Sequence, residues 1–590
     1  MNKYLERIES LRALMRARSW DAVVVRGSDP HQSEYPCQRY KQVEWLSGFT
    51  GEAADMLVTL DHAGLWTDSR YFIQARQQLE GSGVQLHKTR VPGAQSIEQW
   101  IAQNLDSDSV VAIDSLCNSA AQAAELEREC SVCPVPDLLS LLWEDRPMLP
   151  QTPFFCIESG ESRESKIDWL RSQMDGHNCS WMLVSALDQI AWLLNVRASD
   201  IEYNPLLISY LLVGMDEVRF YALKQEIEDE DSRLCIAELQ AQGIDVLPYT
   251  LVELDLAGIS QERVWVDPET LNAELYKHLS CPLYEAPCPI EARKAIKNGF
   301  ELRSMEQCHI QDGLAMERFL YWIETSLAEG RSISEWEASV KLDQLRAQAS
   351  DYLYESFETI SAYGADAALP HFVTPRQNSA LLQSEGLYLC DSGGQYLSGT
   401  TDITRTVPLG PCTRERAEDY TLVLKAHINL ALAVFPSGTP GCRVDAAARL
   451  PLWKTLRDFG HGTGHGVGFF LGVHEGPAQI RQNLSPAPLL AGMVFSNEPA
   501  LYREGSHGIR HENLMVVEEA GENEFGHFLR FRELTLCHFD TSILDASLLT
   551  KEEIDWLNSY NNRVFRTLGP LLDERTAAWL EVKTAPICLE

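Results

Sequence analysis

Residues 460–477 read GHGTGHGVGFFLGVHEGP. His461 and His465 stand four apart, a spacing that on a helix would set both rings on one face and suggest zinc. The glycines at 460, 462, 464, 466 and 468 argue against that helix, because each costs about 1 kcal/mol relative to alanine in a helix interior. Gly462 also stands where a helical zinc peptidase carries its glutamate. The strict alternation of glycines contains no G-x-G-x-x-G, so the segment is not a dinucleotide cradle. If the loop serves a metal, the other ligands come from elsewhere in the chain.

Four acidic residues stand in strand-like apolar surroundings: Asp391 after LYLC, Asp402 in GTTDITRTV, Glu498 after MVFSN and Glu512 in GIRHENLMVV. Aspartate is a poor strand former, and a lone buried carboxylate is costly unless paired or metal-bound. Two divalent cations would balance these four carboxylates, with one neutral imidazole completing the set. Oxygen-rich ligation with a single histidine suits manganese, cobalt or zinc.

The chain has 590 residues, 45% hydrophobic and 23% charged, enough for several domains with large cores. Lys plus Arg (50) against Asp plus Glu (85) gives a formal charge of −35, which repels phosphate backbones and anionic lipids. Nucleic acid and membrane are therefore not expected as partners. No signal-peptide core and no spanning apolar run is present, which favours the cytoplasm. The fifteen cysteines read most simply as reduced thiols, and the lone Cys130–Cys133 pair as two ordinary ones.

Proline-containing seams at 146–155 and 281–298 divide the chain. The first two segments share a plan: Trp45-Leu-Ser-Gly and Trp192-Leu-Leu-Asn, each followed by paired strand patterns, suggest a repeated α/β unit. The third opens with a long helical pattern over 304–327, and LYLCDSGGQY with TDITRTV reads as an antiparallel pair. The tail beyond about residue 545 is helical and reads as a cap.

The set DSGGQYLSGTTDITRT, GHGTGHGVG, VHEGP, NEPA and IRHEN resembles the pita-bread metallopeptidases, which include methionine aminopeptidase, prolidase and aminopeptidase P. The resemblance is closest to the long, three-domain Xaa-Pro aminopeptidases. It extends to DPHQSEYPCQRYKQVEWLSGFTGEAA and WTDSRYFIQA in the first segment, WLLNVRASDIEYNPLLISY in the second and WLNSYNNRVFRTLGPLL in the tail. It implies an α+β chain: creatinase-like α/β domains over 1–151 and 152–290, a pita-bread catalytic domain over 291–540, and a helical extension over 541–590.

Residue by residue, the resemblance implies that Asp391 holds one metal ion and Asp402 bridges two. His465 and Glu498 hold the second ion, and Glu512 bridges again. His461 and His474 become catalytic or substrate-orienting, and His371, in ALPHFVTP, joins them on the substrate side. The implied reaction removes the residue before a penultimate proline, through a hydroxide bridging the two ions, with Glu498 as proton shuttle. Arg510 is read either as a partner for a substrate carboxylate or as a brace for the acidic site. Manganese is the expected ion, a proline-containing peptide the expected partner and a homodimer the expected assembly.

Two departures stand out: Ala500 replaces the usual glycine after NEP, and His511 replaces an apolar residue before Glu512. On a strand, His511 would point opposite Glu512, away from the ions. A prolidase shares the ligand set, but the extra domain favours the aminopeptidase. A pseudoenzyme would have lost ligands, and a serine hydrolase would need a nucleophile elbow that the chain lacks.

Overall fold

The run AVVV at residues 22–25 is buried at every position. Its side chains alternate between two cores, as the two-residue strand period requires. Val23 and Val25 meet Ile8, Leu11 and Met15 of the helix Lys3–Arg18 on one face. Ala22 and Val24 meet Ile97, Ile101 and Leu126 on the other. Both faces of this sheet are thus covered, the condition under which strands become uniformly apolar.

The computed structural model describes residues 2–223 and 229–588. Two compact units divide the chain, Met1–Ile290 and Glu291–Glu590. The first unit holds two six-stranded sheets. In chain order the strands of one are Ala22–Val25, Ala54–Thr59, Ala63–Thr67, Gln85–Lys88, Val110–Asp114 and Ser131–Val135. Those of the other are Trp181–Val184, Ser209–Gly214, Val218–Ala222, Ile244–Pro248, Val264–Val266 and Leu283–Glu285.

Both sheets have the spatial order fourth, third, second, first, fifth, sixth. In both, the first three strands pair antiparallel and the outer ones parallel. The repeat suggested by Trp45 and Trp192 is thus a repeat of topology. Each tryptophan lies on a helix, Gln42–Ser47 or Leu187–Leu194, that ends in a left-handed residue, Gly48 or Asn195. Glycine and asparagine are the residues that tolerate this helix stop. Residues 146–154, around the boundary expected at 151–152, carry neither helix nor strand.

The reading of all cysteines as free thiols needs correction. Cys156 and Cys235 are joined in a disulfide between the strand Phe155–Cys156 and the helix Glu230–Ala241. The two Cα atoms lie 5.5 Å apart, within disulfide range, a proximity that sequence spacing across 79 residues does not reveal. Cys130 and Cys133 remain free.

The second unit begins with the helix Gly299–Ala328, started by an Asn298/Glu301 capping box. The strands Ile360–Tyr363, Leu387–Ser392 and Ile403–Pro408 form one antiparallel sheet. A six-stranded sheet runs Val434–Pro436, Gly526–Glu533, Asn513–Asn523, Val494–Asn497, Gly464–Gly466, Glu475–Ile480. Ala500–Arg503 and His507–Arg510 form a separate antiparallel pair. Helices Arg414–Ala431 and Lys551–Leu568 share a core through Tyr420, Leu424, Leu557, Tyr560 and Val564. The C-terminal helices therefore pack into the body of the unit.

Candidate metal centre

Asp391 lies on the strand Leu387–Ser392, facing Thr404 across the sheet. Asp402 immediately precedes the strand Ile403–Pro408. Glu498 follows Val494–Asn497, and Glu512 lies between His507–Arg510 and Asn513–Asn523. All four carboxylates thus come from strands or strand ends. Such edges fix a side chain more firmly than a free loop does.

His465 lies on the short strand Gly464–Gly466, at a register break in its pairing with Glu475–Ile480. A side chain at Gly464 would collide with the carbonyl of Ser496, and one at Gly466 with that of Glu475. The flanking glycines are therefore what admits this strand between its neighbours. His465 Nδ1 lies 3.0 Å from the carbonyl of Gly466 and donates to it. That bond turns Nε2 toward the carboxylates, where the neutral ring would offer it as a ligand atom. Nε2 lies 3.5 Å from Asp402 Oδ2 and 3.6 Å from Glu498 Oε1. Ligand atoms of Asp402, His465 and Glu512 all fall within 4.8 Å of one another.

The electrostatics of this cluster are those of an unbalanced anionic site. Burial, then the charges of Asp402, Asp391 and Glu498, push the Glu512 carboxyl well up. Burial also lifts Glu498 to about 7, against the pull of His465 and Arg510. Burial works against a charged His465, yet Asp402 and Glu498 raise it to about 9. Asp391 is raised by burial, with Arg510 opposing, and its Oδ1 is buried without a hydrogen-bond partner. An orphaned carboxylate oxygen, mutually repelling acids and an imidazole Nε2 facing them fit a divalent cation site of oxygen-rich type.

Arg510 is almost fully buried. Its guanidinium donates to Asp391 Oδ2, to Tyr502 Oη at 2.5 Å, to Thr404 Oγ1 at 3.1 Å and to the carbonyl of Pro370 at 3.4 Å. Of the two readings of Arg510, partner for a substrate carboxylate or brace for the acidic site, these bonds favour the brace.

His461 does not point freely into a cleft. Its Nδ1 lies 2.7 Å from the carbonyl of Gly462 and its Nε2 2.9 Å from Tyr502 Oη, so Tyr502 links His461 to Arg510. His474 stacks edge-on against His465 with ring centres 4.3 Å apart. His371 is half-buried and follows Pro370, whose carbonyl meets Arg510. His511 is fully buried edge-on against Tyr420, 4.6 Å between ring centres, and Phe539, 5.6 Å. Its ring faces an aromatic core, opposite Glu512.

Sequence reasoning passed over Thr404, Arg405 and Tyr502. Thr404 Oγ1 donates to Glu512 Oε2 at 2.8 Å and accepts from Arg510. Thr404 and Arg405 lie inside the quoted TDITRT, so the motif held the signal. Tyr502 carried no such signal. A second group of possible ligands, Glu317, Cys537 and His538, is closed by hydrogen bonds: His538 donates both its backbone N–H and Nδ1–H to Glu317, each at 2.8 Å.

Comparison with known proteins extends the geometry. Residues 303–519 match the model of metallopeptidase family M24, and 527–587 that family's C-terminal region. Residues 7–147 and 145–301 each match a creatinase/prolidase N-terminal domain. Xaa-Pro aminopeptidase 1 of Dictyostelium discoideum is 36% identical, over 99% of this chain and 96% of the relative. The chain belongs to the M24 metallopeptidases.

Within that family, aminopeptidase P1 of Arabidopsis thaliana is 34% identical over 99% of each chain. The crystal structure of X-prolyl aminopeptidase from Caenorhabditis elegans, described as a cytosolic enzyme with a di-nuclear active site, superimposes with a TM-score of 0.94. It shares 34% identity and covers 100% of both chains. The M24 fold thus accounts for the C-terminal unit and the creatinase-type domains for the two repeated sheets, the α+β architecture anticipated above.

Proposed function

We propose that the protein is a dinuclear Xaa-Pro aminopeptidase, releasing the first residue of peptides whose second residue is proline. The observation that carries this reading is the gathering of Asp402, Glu498 and Glu512 around His465, with Asp391 held beside them by Arg510. The full-length likeness to Xaa-Pro aminopeptidases supports the substrate class. Two divalent ions held by these five residues would supply an activated water and polarise the scissile carbonyl.

The chain's own residues do the rest. Glu498 is the most exposed carboxylate of the set, with 19% of its side chain open against 10% for Asp391 and 6% for Asp402. It is therefore the group best placed to take a proton from water and deliver it to the leaving proline nitrogen. His474, braced on His465, orients the carbonyl oxygen and stabilises charge on it. His461, held by Tyr502, and His371 line the approach of the peptide. An Xaa-Pro bond has no N–H to grip and a fixed φ, so such a site reads the ring by shape.

Manganese is the proposed resident ion, with cobalt or zinc as alternatives. The proposed assembly is a homodimer, which rests on family resemblance alone. The proposed compartment is the cytoplasm, in line with the cytosolic C. elegans relative. Among the described residues no helix is long and apolar enough to cross a membrane.

The test is hydrolysis of an Xaa-Pro-Xaa tripeptide by metal-stripped protein with and without manganese, beside an Xaa-Pro dipeptide and an Xaa-Ala-Xaa control. Metal-dependent release of the first residue from the Xaa-Pro tripeptide alone is the expected result. Cleavage of the dipeptide alone would reassign the protein as a prolidase. No cleavage with any divalent ion would end the enzyme reading.

A further inference from the structure

Arg405 is among the largest fully buried side chains of the molecule. Among the described residues no carboxylate lies within ion-pair distance of it. Its guanidinium is satisfied instead by neutral oxygens. Nη1 donates to the carbonyls of Glu512 at 2.6 Å and Thr404 at 3.0 Å. Nη2 donates to Asn513 Oδ1 at 2.8 Å, the carbonyl of Cys537 at 2.6 Å and Tyr560 Oη at 3.2 Å. Nε donates to the carbonyl of His538 at 3.1 Å, and the group lies 4.0 Å above the ring of Phe539. A buried cation without a counter-ion is costly unless its geometry is excellent. Here every nitrogen is used, and one bond ends on the main chain of a metal-site carboxylate.

The other end of this arrangement lies in the helix Lys551–Leu568. Tyr560 Oη sits among the carbonyls of Thr535, at 3.0 Å, and Cys537, at 3.1 Å, beside Arg405. Asn561 brackets Phe539: its Oδ1 accepts the Phe539 N–H at 3.1 Å and its Nδ2 donates to the Phe539 carbonyl at 3.0 Å. Glu317, on the helix Gly299–Ala328, holds His538. Segment 537–539 is thus fixed by side chains from two helices, and Arg405 ties that segment to the backbone of Glu512.

We propose that Arg405, Tyr560 and Asn561 form a positioning network through which the C-terminal helix sets the backbone of Glu512. Affinity for the divalent ions then depends on a helix that contributes no ligand. The proposal rests on the metal reading of the site given above. Tyr560 and Asn561 are positioning residues, since they act through Arg405 and segment 537–539.

The test uses the full chain and manganese as the probe. Tyr560→Phe removes one hydroxyl and keeps the ring stacked on Trp556, 5.2 Å away. Val564→Ala, one turn along the same helix and fully buried, shortens an apolar side chain that makes none of these hydrogen bonds and serves as the control. Manganese Kd is measured by titration calorimetry, and Tm with and without the ion. The expected result is that Tyr560→Phe weakens manganese binding about 10-fold, the low end for outer-shell partners of a metal site. Arg405→Lys keeps the charge, loses the planar fork and weakens binding further, up to about 100-fold. Val564→Ala lowers Tm equally in stripped and loaded protein and leaves Kd unchanged. A Kd for Tyr560→Phe within twofold of wild type, or shifted no more than in Val564→Ala, overturns the network. Wild-type protein that binds no manganese, cobalt or zinc would remove the metal site itself and the network with it.

Discussion

Two aspartates of the N-terminal unit and the acidic cluster of the C-terminal unit bury carboxylates in opposite ways. In the N-terminal unit Asp114 and Asp267 each accept from backbone N–H groups. Asp114, at the end of the fifth strand of the first sheet, accepts the N–H groups of Leu116, Asp137 and Leu138, each at 3.0 Å. Asp267, just past the fifth strand of the second sheet, accepts those of Glu269 and Cys288, also at 3.0 Å. The two positions are equivalent in the repeat: each binds the N–H two residues on and one just beyond the sixth strand. In the C-terminal unit four carboxylates gather, and Thr404, Arg510 and His465 face them. An acid surrounded by amides is a structural staple. Acids gathered with too few donors need a cation.

The largest effect follows from removing one of the gathered acids. Glu512→Gln keeps the volume and one acceptor but discards a charge. The expected fall in kcat/KM on an Xaa-Pro-Xaa peptide exceeds about 100-fold, the upper range for mere outer-shell partners. Metal content by elemental analysis should fall with it. Asp114→Ala in the other unit should leave kcat/KM per folded molecule unchanged. Equal activity losses in both would erase the distinction between staple and site.

Chelation probes the same contrast without mutation. A ligand at 100 times its Kd stabilises the state that binds it by about 2.7 kcal/mol. Stripping the metal should therefore speed amide hydrogen exchange around residues 387–408 and 460–512. Exchange around 110–138 should not change. Uniform loss of protection over both units would mean that the ions support the whole chain.

Arg510 offers an intermediate effect. Arg510→Met leaves Asp391 without its cationic neighbour, and metal affinity should fall about 10-fold or more. Arg510→Lys restores the charge but not the bonds to Tyr502 and Thr404, so rescue should be partial. Were its role to grip a substrate carboxylate, KM would rise with metal affinity unchanged.

What the sequence revealed and concealed follows from the range of each interaction. The four acids of the proposed metal site were legible because charged residues in apolar strand contexts are expensive and hence informative, whereas His465 was singled out among the loop histidines only by the family resemblance. The helix Gly299–Ala328 and the antiparallel pair around Asp391 were legible from local periodicity. The Cys156–Cys235 bond and the bonds of Arg510 to Tyr502 and Thr404 were not, since they depend on residues meeting in the fold. His511 shows the middle case. Strand alternation predicted that it turns from the metals, but not that it would lie between Tyr420 and Phe539. The weak repeat between the first two segments showed in Trp45, Trp192 and the strand patterns after them, but its strand order did not, because sheet order is written in pairings and not in residue identity.

The smallest effect tests whether that repeat is chemical as well as topological. Asp114→Ala and Asp267→Ala each strand backbone N–H groups in a buried turn. An orphaned buried donor costs about 1–3 kcal/mol. Asp114 serves three such groups and Asp267 two, so Asp114→Ala should be the more destabilising. Urea denaturation monitored in the N-terminal unit reads this directly, with the midpoint lowered in both variants and the slope unchanged. A loss confined to one position would mean that the two sheets share an order of strands while only one relies on an aspartate to close its fifth and sixth strands.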